Sequence, residues 1–366
     1  MALTAGIVGL PNVGKSTLFN AITKAGVEAA NYPFATIDPN VGVVEVPDKR
    51  LSDITQLIKP KKTIPTTIEF TDIAGIVKGA SKGEGLGNKF LANIRQVDAI
   101  CQVVRCFEDS NITHVSGKVD PIDDIETINL ELILADLETI DKRISRVEKL
   151  AKSKDKEAVA EYEVLLKLKE GLENNQLANS IEFYEEQLPM VNNLFLLTRK
   201  KMLYVANIGE EEVSDPESNP YLKQVRTLAS EQGAEVVPVS ARLEEEIAEL
   251  DDEEKAIFLE DYGMAETGLD RLIQHVYSLL GLATYFTAGE KEVRAWTFRQ
   301  GMRAPQAAGV IHSDFERGFI RAETMSYDDL MQYGSEASVK EHGRYRSEGK
   351  DYIVKDGDIM LFRFNV

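Results

Sequence analysis

Residues 9–16 read Gly-Leu-Pro-Asn-Val-Gly-Lys-Ser, which is the G-x-x-x-x-G-K-[ST] pattern of a phosphate-binding loop. In such a loop the backbone N–H groups surround the phosphates, the lysine reaches their outer oxygens, and the serine hydroxyl holds Mg²⁺. A short apolar run at residues 5–8 precedes the loop, and a helical stretch follows it and stops near Gly26. The motif requires strand, loop and helix in this order, so the chain is predicted to contain an α/β phosphate-binding domain.

Length and composition set the outer limits of the fold. With 366 residues, of which 43% are hydrophobic, the chain is long enough for two or three domains with buried cores. No run approaches 18 apolar residues, and no basic, apolar leader is present, so neither a membrane span nor a signal peptide is expected. Cys101 and Cys106 are five residues apart on one predicted strand and face opposite ways. They cannot easily pair, which favours a reducing, cytoplasmic compartment.

The charge of the chain is acidic and unevenly distributed. The net charge is −19, which argues against general affinity for nucleic acid. Residues 283–366 hold 12 Lys/Arg and 13 Asp/Glu, a net of −1, whereas the remaining 282 residues hold 30 and 48, a net of −18. If any part contacts RNA, the C-terminal segment is therefore the better candidate. The acidic stretch at residues 244–261 is interpreted as a solvated helical face or loop.

Five short apolar runs, separated by other stretches, predict a parallel α/β sheet. They lie at residues 5–8, 67–71, 99–106, 202–206 and 235–239. Between the third and fourth runs, apolar residues recur at steps of three or four from residue 133 to residue 151, and a second helical pattern follows a polar break at 152–157. We interpret this region as two antiparallel helices inserted into the α/β domain and paired within one chain. A dimerising coiled coil is the alternative.

After residue 282 the pattern changes to short strand-like runs between turns, which predicts a separate α+β module. Residues 293–298 and 318–322 are candidate strands, and the end of the chain is predicted to form a hairpin with a turn at Asp356-Gly357. The predicted domains are an α/β domain of residues 1–128 and 198–282, an inserted helical domain of residues 129–197, and a C-terminal module of residues 283–366.

Further elements match nucleotide-dependent switch proteins. Asp72-Ile-Ala-Gly75 follows a predicted strand, as a D-x-x-G motif does. The Asp72 carboxylate would bind Mg²⁺ through water, and the Gly75 N–H would sense the γ-phosphate. Thr36, between the two motifs, is a candidate second Mg²⁺ ligand. Five glycines between residues 75 and 87 predict a segment that becomes ordered in one nucleotide state, or a plain flexible loop.

The base-recognition segment departs from the guanine-specific pattern N-K-x-D. It reads Asn207-Ile208-Gly209-Glu210, so the lysine is absent and the carboxylate is one methylene longer. The N1–H and 2-amino groups of guanine donate hydrogen bonds to a carboxylate, whereas adenine has neither donor. Asn207 can still contact the N7 and 6-amino edge of a base, so ATP is predicted to be preferred or at least tolerated. Ser240-Ala241, after a predicted strand, matches the loop that packs on the base.

Catalysis also departs from the usual pattern. Ile76 occupies the position where many relatives place a glutamine that orients the attacking water, and isoleucine cannot form a hydrogen bond. Hydrolysis then depends on another group or is slow. One candidate is a K⁺ ion supported by Asn12. The other is His114, in a polar stretch that could bring it to the γ-phosphate, although it can also be an exposed loop histidine. Lys15 would neutralise charge during the transfer to water.

Taken together, these motifs resemble the YchF / Obg-like ATPase family over essentially the whole chain. The matching segments are residues 9–17, 31–36, 79–91, 207–210, 285–297 and 312–322. The resemblance implies a G-type domain with an inserted helical arm and a C-terminal TGS domain. It also implies hydrolysis of ATP in preference to GTP, an isoleucine in place of the catalytic glutamine, and association with ribosomes.

The resemblance implies site residues as well. It assigns nucleotide contacts to the phosphate-binding loop and the base segment, and Mg²⁺ to Ser16 and Thr36. With the motif assignments, the candidate nucleotide-binding residues are Asn12, Val13, Gly14, Lys15, Ser16, Thr17, Gly75, Asn207, Ile208, Glu210, Ser240 and Ala241. The expected ligands are ATP or ADP with Mg²⁺, and K⁺ as an additional ion.

The predicted role is that of a slow Mg²⁺-dependent ATPase that acts as a switch on the large ribosomal subunit or the whole ribosome, through the TGS domain and the helical arm. A cytoplasmic monomer without a membrane partner is expected. A GTPase switch, and a ribosome- or protein-binding scaffold with a structural nucleotide, are the alternatives. Five arginines in the tail fit either RNA contacts or solvent-facing ion pairs: Arg294, Arg299, Arg303, Arg317 and Arg321.

Overall fold

The computed structural model describes residues 3–26, 40–73, 86–114 and 117–365. The strands are β1 (Thr4–Val8), β2 (Val41–Glu45), β3 (Thr63–Ile64), β4 (Thr67–Asp72), β5 (Ala99–Arg105), β6 (Lys201–Asn207), β7 (Glu235–Val239), β8 (Leu282–Ala288), β9 (Val293–Arg299), β10 (Phe319–Ser326), β11 (Arg346–Glu348) and β12 (Asp358–Phe364). The helices are α1 (Lys15–Ala25), α2 (Lys49–Ile58), α3 (Leu86–Gln96), α4 (Pro121–Lys152), α5 (Lys156–Glu173), α6 (Leu188–Asn192), α7 (Pro220–Gln232), α8 (Ala241–Ile247), α9 (Asp252–Asp261), α10 (Gly268–Leu279), α11 (Ala304–Ile311), α12 (Ser313–Arg317), α13 (Tyr327–Tyr333) and α14 (Glu336–Glu341). The chain divides into two compact units, Met1–Val44 with Glu69–Leu272 and Glu45–Ile68 with Ile273–Val366.

The first unit contains a six-stranded sheet in the order β2-β4-β1-β5-β6-β7. β1 pairs in parallel with β4 and β5, and β6 pairs in parallel with β5 and β7, so the five predicted strands form one sheet as expected. The register aligns Ile7 with Asp72 and Arg105 with Asn207. Because the carboxyl ends of parallel strands meet at one edge, the phosphate-binding loop, the D-x-x-G aspartate and the base segment leave the sheet on the same side.

Two long helices, α4 and α5, form the predicted antiparallel pair. Ion pairs join Arg143 to Glu161 (2.5 Å) and Lys169 to Asp141 (2.7 Å), so residues later in α5 lie beside residues earlier in α4. This pairing within one chain agrees with the interpretation of the sequence as an intramolecular helical arm.

The helix α4 begins before the predicted domain boundary at residue 129. Its N-terminus is capped by Asp120, whose carboxylate accepts a hydrogen bond from the Asp123 N–H (3.2 Å). In the turns of α4 that precede residue 129, Ile125 and Ile128 are fully buried. The predicted boundary is therefore wrong at this point, because one continuous helix starts in the α/β core and extends into the arm.

Asp136 fixes the root of α4 to the segment that returns from the arm. Its buried carboxylate accepts hydrogen bonds from the N–H groups of Leu197 (2.8 Å) and Thr198 (2.8 Å), and from the Thr198 hydroxyl (2.7 Å). Burial raises the pKa of Asp136, whereas these donors lower it. The bonds hold the two ends of the inserted segment together.

We expect Asp136→Ala to lower the free energy of unfolding by about 3 kcal/mol, because buried donors lose their acceptor. The midpoint of urea denaturation measures this loss. Asp141→Ala is the matched control on the same helix, since it removes a solvent-exposed ion pair with Lys169 and should cost less than about 1 kcal/mol. Equal midpoints for the two variants would show that Asp136 has no special role at the arm root.

The second unit contains a mixed sheet in the order β11-β10-β12-β8-β9-β3. Residues 45–68, which supply α2 and β3, were expected in the α/β domain, and this assignment is wrong. β3 pairs in parallel with β9, and Leu51 and Ile54 of α2 belong to the core around Phe286 and Ile359. The apolar stripe of α2 is covered by strands that occur far later in the chain, which a local sequence pattern cannot reveal.

The predicted C-terminal hairpin is also wrong. β12 pairs in antiparallel orientation with β10 and in parallel with β8, whereas Ile353 forms an isolated bridge with Arg303. The Asp-Gly dipeptide serves a different contact. The Thr284 N–H donates to the Asp356 carboxylate (2.9 Å), and the Gly357 N–H donates to the Thr284 carbonyl (2.8 Å). These bonds place β12 beside β8.

Three further expectations can be compared with the structure. Cys101 and Cys106 are buried free thiols, in agreement with the expectation that they do not pair. In the described ranges, no helix is both long and apolar enough to cross a membrane. Three of the five tail arginines form ion pairs, which favours the ion-pair interpretation for them: Arg303 with Asp351, Arg317 with Asp314, and Arg321 with Glu323.

Candidate nucleotide-binding site

The phosphate-binding loop lies between β1 and α1, as the motif requires. Asn12 and Gly14 have φ angles of 65° and 92°, and Gly14 is the N-cap of α1. Glycine adopts the left-handed backbone conformation of Gly14 without strain, whereas a residue with a Cβ would be strained there. It turns the chain so that Lys15 and Ser16 begin the helix. The N–H groups of this first turn have no intrahelical partners and favour an anion.

Asn207, at the end of β6, joins the loop to the segment that follows β7. Its side-chain amide donates to the Val13 carbonyl (2.9 Å), and its amide oxygen accepts from the Ala241 N–H (2.9 Å). The residue is buried. One N–H and one lone pair of the amide are therefore committed to the protein, and the other N–H and lone pair are available for a base.

A cleft of about 1050 Å³ opens beside this junction. Its size is at the upper end of ligand sites. Most predicted nucleotide-binding residues line it: Asn12, Gly14, Lys15, Ser16, Thr17, Asn207, Ile208, Glu210, Ser240 and Ala241. Val13 is not among the lining residues, because its side chain is buried. The fold thus brings the phosphate and base motifs to one cleft.

Lys15 forms an ion pair with the Asp72 carboxylate at the end of β4. A nucleotide phosphate would compete with Asp72 for this ammonium group. The hydroxyl of Ser16 and the carboxylate of Asp72 are oxygen donors, which Mg²⁺ prefers. Within the described ranges, no group of three or more His, Cys, Asp or Glu side chains could hold a metal. In proteins, Mg²⁺ usually keeps several water ligands and binds through one or two protein oxygens together with substrate phosphates.

The base side of the cleft consists of two adjacent segments. Ile208 is buried and its N–H donates to the Val239 carbonyl (3.0 Å), which places the base segment beside Ser240. Glu210 forms an ion pair with Arg242 (2.8 Å), and both residues line the cleft. The Glu210 carboxylate is thus held by a cation of the same wall. Arg242 directly follows the Ser-Ala pair and is not among the residues predicted from the sequence.

His114 is buried, so the alternative of an exposed loop histidine is wrong. Its Nε2 lies 3.1 Å from the Asp124 carboxylate in the first turns of α4. The adjacent Thr113 carbonyl accepts a hydrogen bond from the Asn12 side-chain amide (3.1 Å). Burial raises the pKa of Asp124, and the contact with His114 partly offsets this effect. The polar stretch therefore contacts the phosphate-binding loop and α4 at consecutive residues.

Arg105, which is not among the residues predicted from the sequence, organises the same stretch. The side chain is almost fully buried at the end of β5. Its guanidinium donates to the carbonyls of Phe107 (3.1 Å), Ile112 (3.0 Å) and Asp109 (3.3 Å). It also lies 4.6 Å from the Phe107 ring centroid. The signal in the sequence is a single charged residue at the end of a strand whose other residues, apart from Gln102, are apolar.

The sequence predicted that the acidic stretch at residues 244–261 is solvated, but the structure shows that part of it is buried. Glu244 is buried in α8 and accepts a hydrogen bond from the Gly268 N–H at the start of α10 (2.7 Å). Burial raises the pKa of Glu244 to about 7. This carboxylate therefore serves as a buried cap on α10, immediately after the segment that lines the base side of the cleft.

Several predicted residues lie outside the described ranges. They are Thr36, Gly75, Ile76 and the glycines of the 75–87 segment other than Gly87. Their proposed roles in sensing the γ-phosphate and binding Mg²⁺ stay predictions.

The chain is similar to curated proteins along its whole length. It is 69% identical to the ribosome-binding ATPase YchF of Bacillus subtilis and 58% identical to that of Escherichia coli O157:H7, and the alignments cover 100% of both chains in each case. The solved structure of the Schizosaccharomyces pombe YchF GTPase matches with a TM-score of 0.87 and 40% identity, over 99% of this chain and 97% of that chain.

Two family profiles match separate parts of the sequence. YchF-GTPase_C, described as a protein of unknown function, matches residues 282–365, and MMR_HSR1, described as a 50S ribosome-binding GTPase, matches residues 4–159. The expected α/β class, with a G-type domain and a C-terminal α+β domain, is confirmed. Identity at this level over the full length of each curated relative shows that the chain belongs to the YchF family.

Proposed function

We propose that this chain binds ATP with Mg²⁺, hydrolyses it slowly to ADP and phosphate, and uses the nucleotide state as a switch on the ribosome. The observation that carries the proposal is the junction at Asn207, which joins the phosphate-binding loop to a base segment without the guanine-specific lysine and aspartate. The full-length relatives named ribosome-binding ATPases support it.

In the proposed site the phosphates lie against the loop amides and the N-terminus of α1. Lys15 exchanges Asp72 for phosphate oxygens, which frees the Asp72 carboxylate to face the cation through water. Ser16 and Thr36 would hold Mg²⁺, and Gly75 would sense the γ-phosphate. When bound, Mg²⁺ supplies neutralisation of the charge on the phosphates. Lys15 and the amides act in the same direction, because they are positioned before the charge develops.

Hydrolysis needs a group that orients water, because Ile76 cannot do so. We propose His114 for this role. Its buried imidazole does not line the cleft, so its stretch, which is hydrogen-bonded to the phosphate-binding loop through Asn12 and Thr113, must move to bring it to the γ-phosphate. A K⁺ ion near Asn12 is a further proposal. The Asn12 amide N–H is committed to Thr113, and its amide oxygen would be the group that faces a cation.

The preference for ATP is proposed from the wall of the cleft. A guanine-specific aspartate must present a free carboxylate to the N1–H and 2-amino groups. Glu210 is instead one methylene longer and paired with Arg242, so recognising guanine would mean displacing this solvent-exposed ion pair, at a cost of up to about 1 kcal/mol. Adenine has no donors at these positions, so its binding does not require a free carboxylate.

The test is titration calorimetry of ATP, ADP and GTP with Mg²⁺ and K⁺ present. The unchanged protein should bind ATP more tightly than GTP. In the double variant Glu210→Asp/Ile208→Lys, the preference should move toward GTP, because both the aspartate and the lysine of the guanine pattern are then present. Glu210→Asp alone controls for the cost of placing a lysine at the buried Ile208 position.

Equal or tighter binding of GTP by the unchanged protein would contradict the ATP assignment and leave a GTPase switch. This second candidate has support of its own, since the solved relative from Schizosaccharomyces pombe is titled a GTPase and the N-terminal profile is described as a GTPase. A scaffold with structural nucleotide is the third candidate. It is favoured if replacing His114 abolishes turnover without changing ribosome binding or cellular function.

The ribosome is proposed as partner from the names of the relatives. In this proposal the helical arm and the C-terminal TGS domain transmit the nucleotide state to the large subunit or the whole ribosome. A monomer that acts on ribosomes in the cytoplasm is consistent with the pairing of α4 and α5 within one chain.

A further inference from the structure

Two depressions meet on the first unit, where the root of the arm lies beside residues 192–200. Their volumes are about 530 Å³ and 570 Å³, and they share Thr139 and Leu194. We name the combined surface the arm-root groove. Six cationic side chains line it: Arg95, Lys142, Arg143, Arg146, Arg199 and Lys200.

The groove is basic within a strongly acidic chain. Glu161 partly neutralises Arg143 (2.5 Å), and Glu138 partly neutralises Lys142 (2.5 Å). In the part of the chain that the structure describes, three of the other cations form no ion pair within 4 Å: Arg95, Arg146 and Arg199. The Arg199 guanidinium donates one hydrogen bond to the Ala178 carbonyl (3.2 Å), and the charge of Arg95 acts on Asp136 and Glu138. The groove therefore keeps a net positive charge, which favours an anionic partner.

An exposed aromatic ring stands in the groove. Phe195 is 83% exposed, and its φ of 50° lies in the left-handed region, where a bulky residue is strained. The following residues are fixed, because Leu196 and Leu197 are buried and the Leu197 N–H donates to Asp136. The backbone thus holds the Phe195 ring away from the core and beside the cations.

We propose that the arm-root groove binds an unpaired strand of RNA, with phosphates on the guanidinium groups and one base stacked on Phe195. An acidic peptide would also match the cations, but it gives no reason for the exposed, strained ring. Every nucleobase has a face that stacks on such a ring. The inference rests on the proposed function in one respect, that ribosomal RNA is the source of the strand.

The site differs from the sequence expectation, which favoured the C-terminal segment for RNA. That prediction was based on the net charge of long segments of the chain. Binding of a phosphate depends instead on the charges within about one Debye length, roughly 8–10 Å. A local cluster of arginines can therefore bind a polyanion although the unit as a whole is acidic.

The test measures binding of the full chain to a short fluorescein-labelled oligouridylate by fluorescence anisotropy at several salt concentrations. Phe195→Ala is expected to weaken binding about tenfold, through the loss of one stacked base. Arg146→Glu is expected to weaken it by a similar factor and to flatten the dependence of affinity on salt. Tyr184→Ala and Lys223→Glu change an exposed ring and an exposed cation elsewhere on the same unit, and both should bind as the unchanged protein does.

Failure of the unchanged protein to bind the oligouridylate, or equal binding by all four variants, overturns the inference. Cosedimentation with ribosomes separates it from the proposed function. If the unchanged protein does not sediment with ribosomes but binds the oligouridylate through Phe195 and Arg146, the proposed function fails and the groove stands. If Phe195→Ala and Arg146→Glu lose ribosome binding and no form binds the oligouridylate, an acidic protein is the partner and the RNA proposal is overturned.

Discussion

Gly14→Ala is expected to weaken nucleotide binding by about 100-fold, which corresponds to about 3 kcal/mol of strain in the loop. An added Cβ at residue 14 would collide with the Asn207 side-chain amide. The φ of 92° also disfavours any L residue at this position. Relief of the clash must displace either the loop or Asn207, and Asn207 holds the Val13 carbonyl and the Ala241 N–H. Both the phosphate side and the base side of the cleft are then disturbed. Titration calorimetry with ATP and Mg²⁺ measures the effect.

Gly233→Ala is the matched control for this substitution. Gly233 has a φ of 63° at the end of α7, and a Cβ there would meet no atom within 4 Å. The variant should lose about 1 kcal/mol of stability from backbone strain and keep its affinity for ATP. If Gly14→Ala binds ATP as well as Gly233→Ala does, the geometry of the loop has been misinterpreted.

His114→Ala is expected to lower kcat for ATP hydrolysis by about 100-fold while leaving the affinity for ATP within about twofold, because a group that acts on water contributes to the reaction and not to binding. Single-turnover hydrolysis and calorimetry separate the two quantities. His312→Ala, which removes an exposed histidine of the second unit, is the control and should leave kcat unchanged.

Asp124→Asn tests whether the carboxylate positions His114. The substitution keeps the size of the side chain and removes the charge that faces Nε2. We expect an intermediate loss of kcat and a shifted dependence of kcat on pH, whereas a purely structural role would lower the melting temperature without moving the pH profile. Turnover at the normal rate in His114→Ala would remove the reason for both assignments.

The sequence predicts the first unit well because its signals are local. The phosphate-binding loop is one continuous motif, and each strand of the parallel sheet is a short apolar run. The carboxyl ends of such strands must meet at one edge, so the cleft could be anticipated before its walls were seen. The spacing of apolar residues likewise predicts α4 and α5 as a pair.

The features that the sequence did not predict depend on pairs of distant residues. From the sequence alone, Asp136 cannot be distinguished from an exposed aspartate on a helix. Its role arises because the chain returns from the arm and brings the N–H groups of Leu197 and Thr198 to its carboxylate. The ion pair between Glu210 and Arg242 joins two loops that follow different strands. His114 contacts Asp124 at the start of α4. None of these contacts is visible in a local window of sequence.

The interleaved origin of the second unit affects how the protein is made. Arg50 of α2 pairs with Asp356, and 306 residues separate them. At roughly 5–20 residues per second, α2 is synthesised about 15–60 s before that aspartate. Leu51 and Ile54 therefore have no native core to enter while the sheet of the first unit is completed. Chains that terminate early in the last segment would keep this apolar surface open, which makes them substrates for chaperones and proteases.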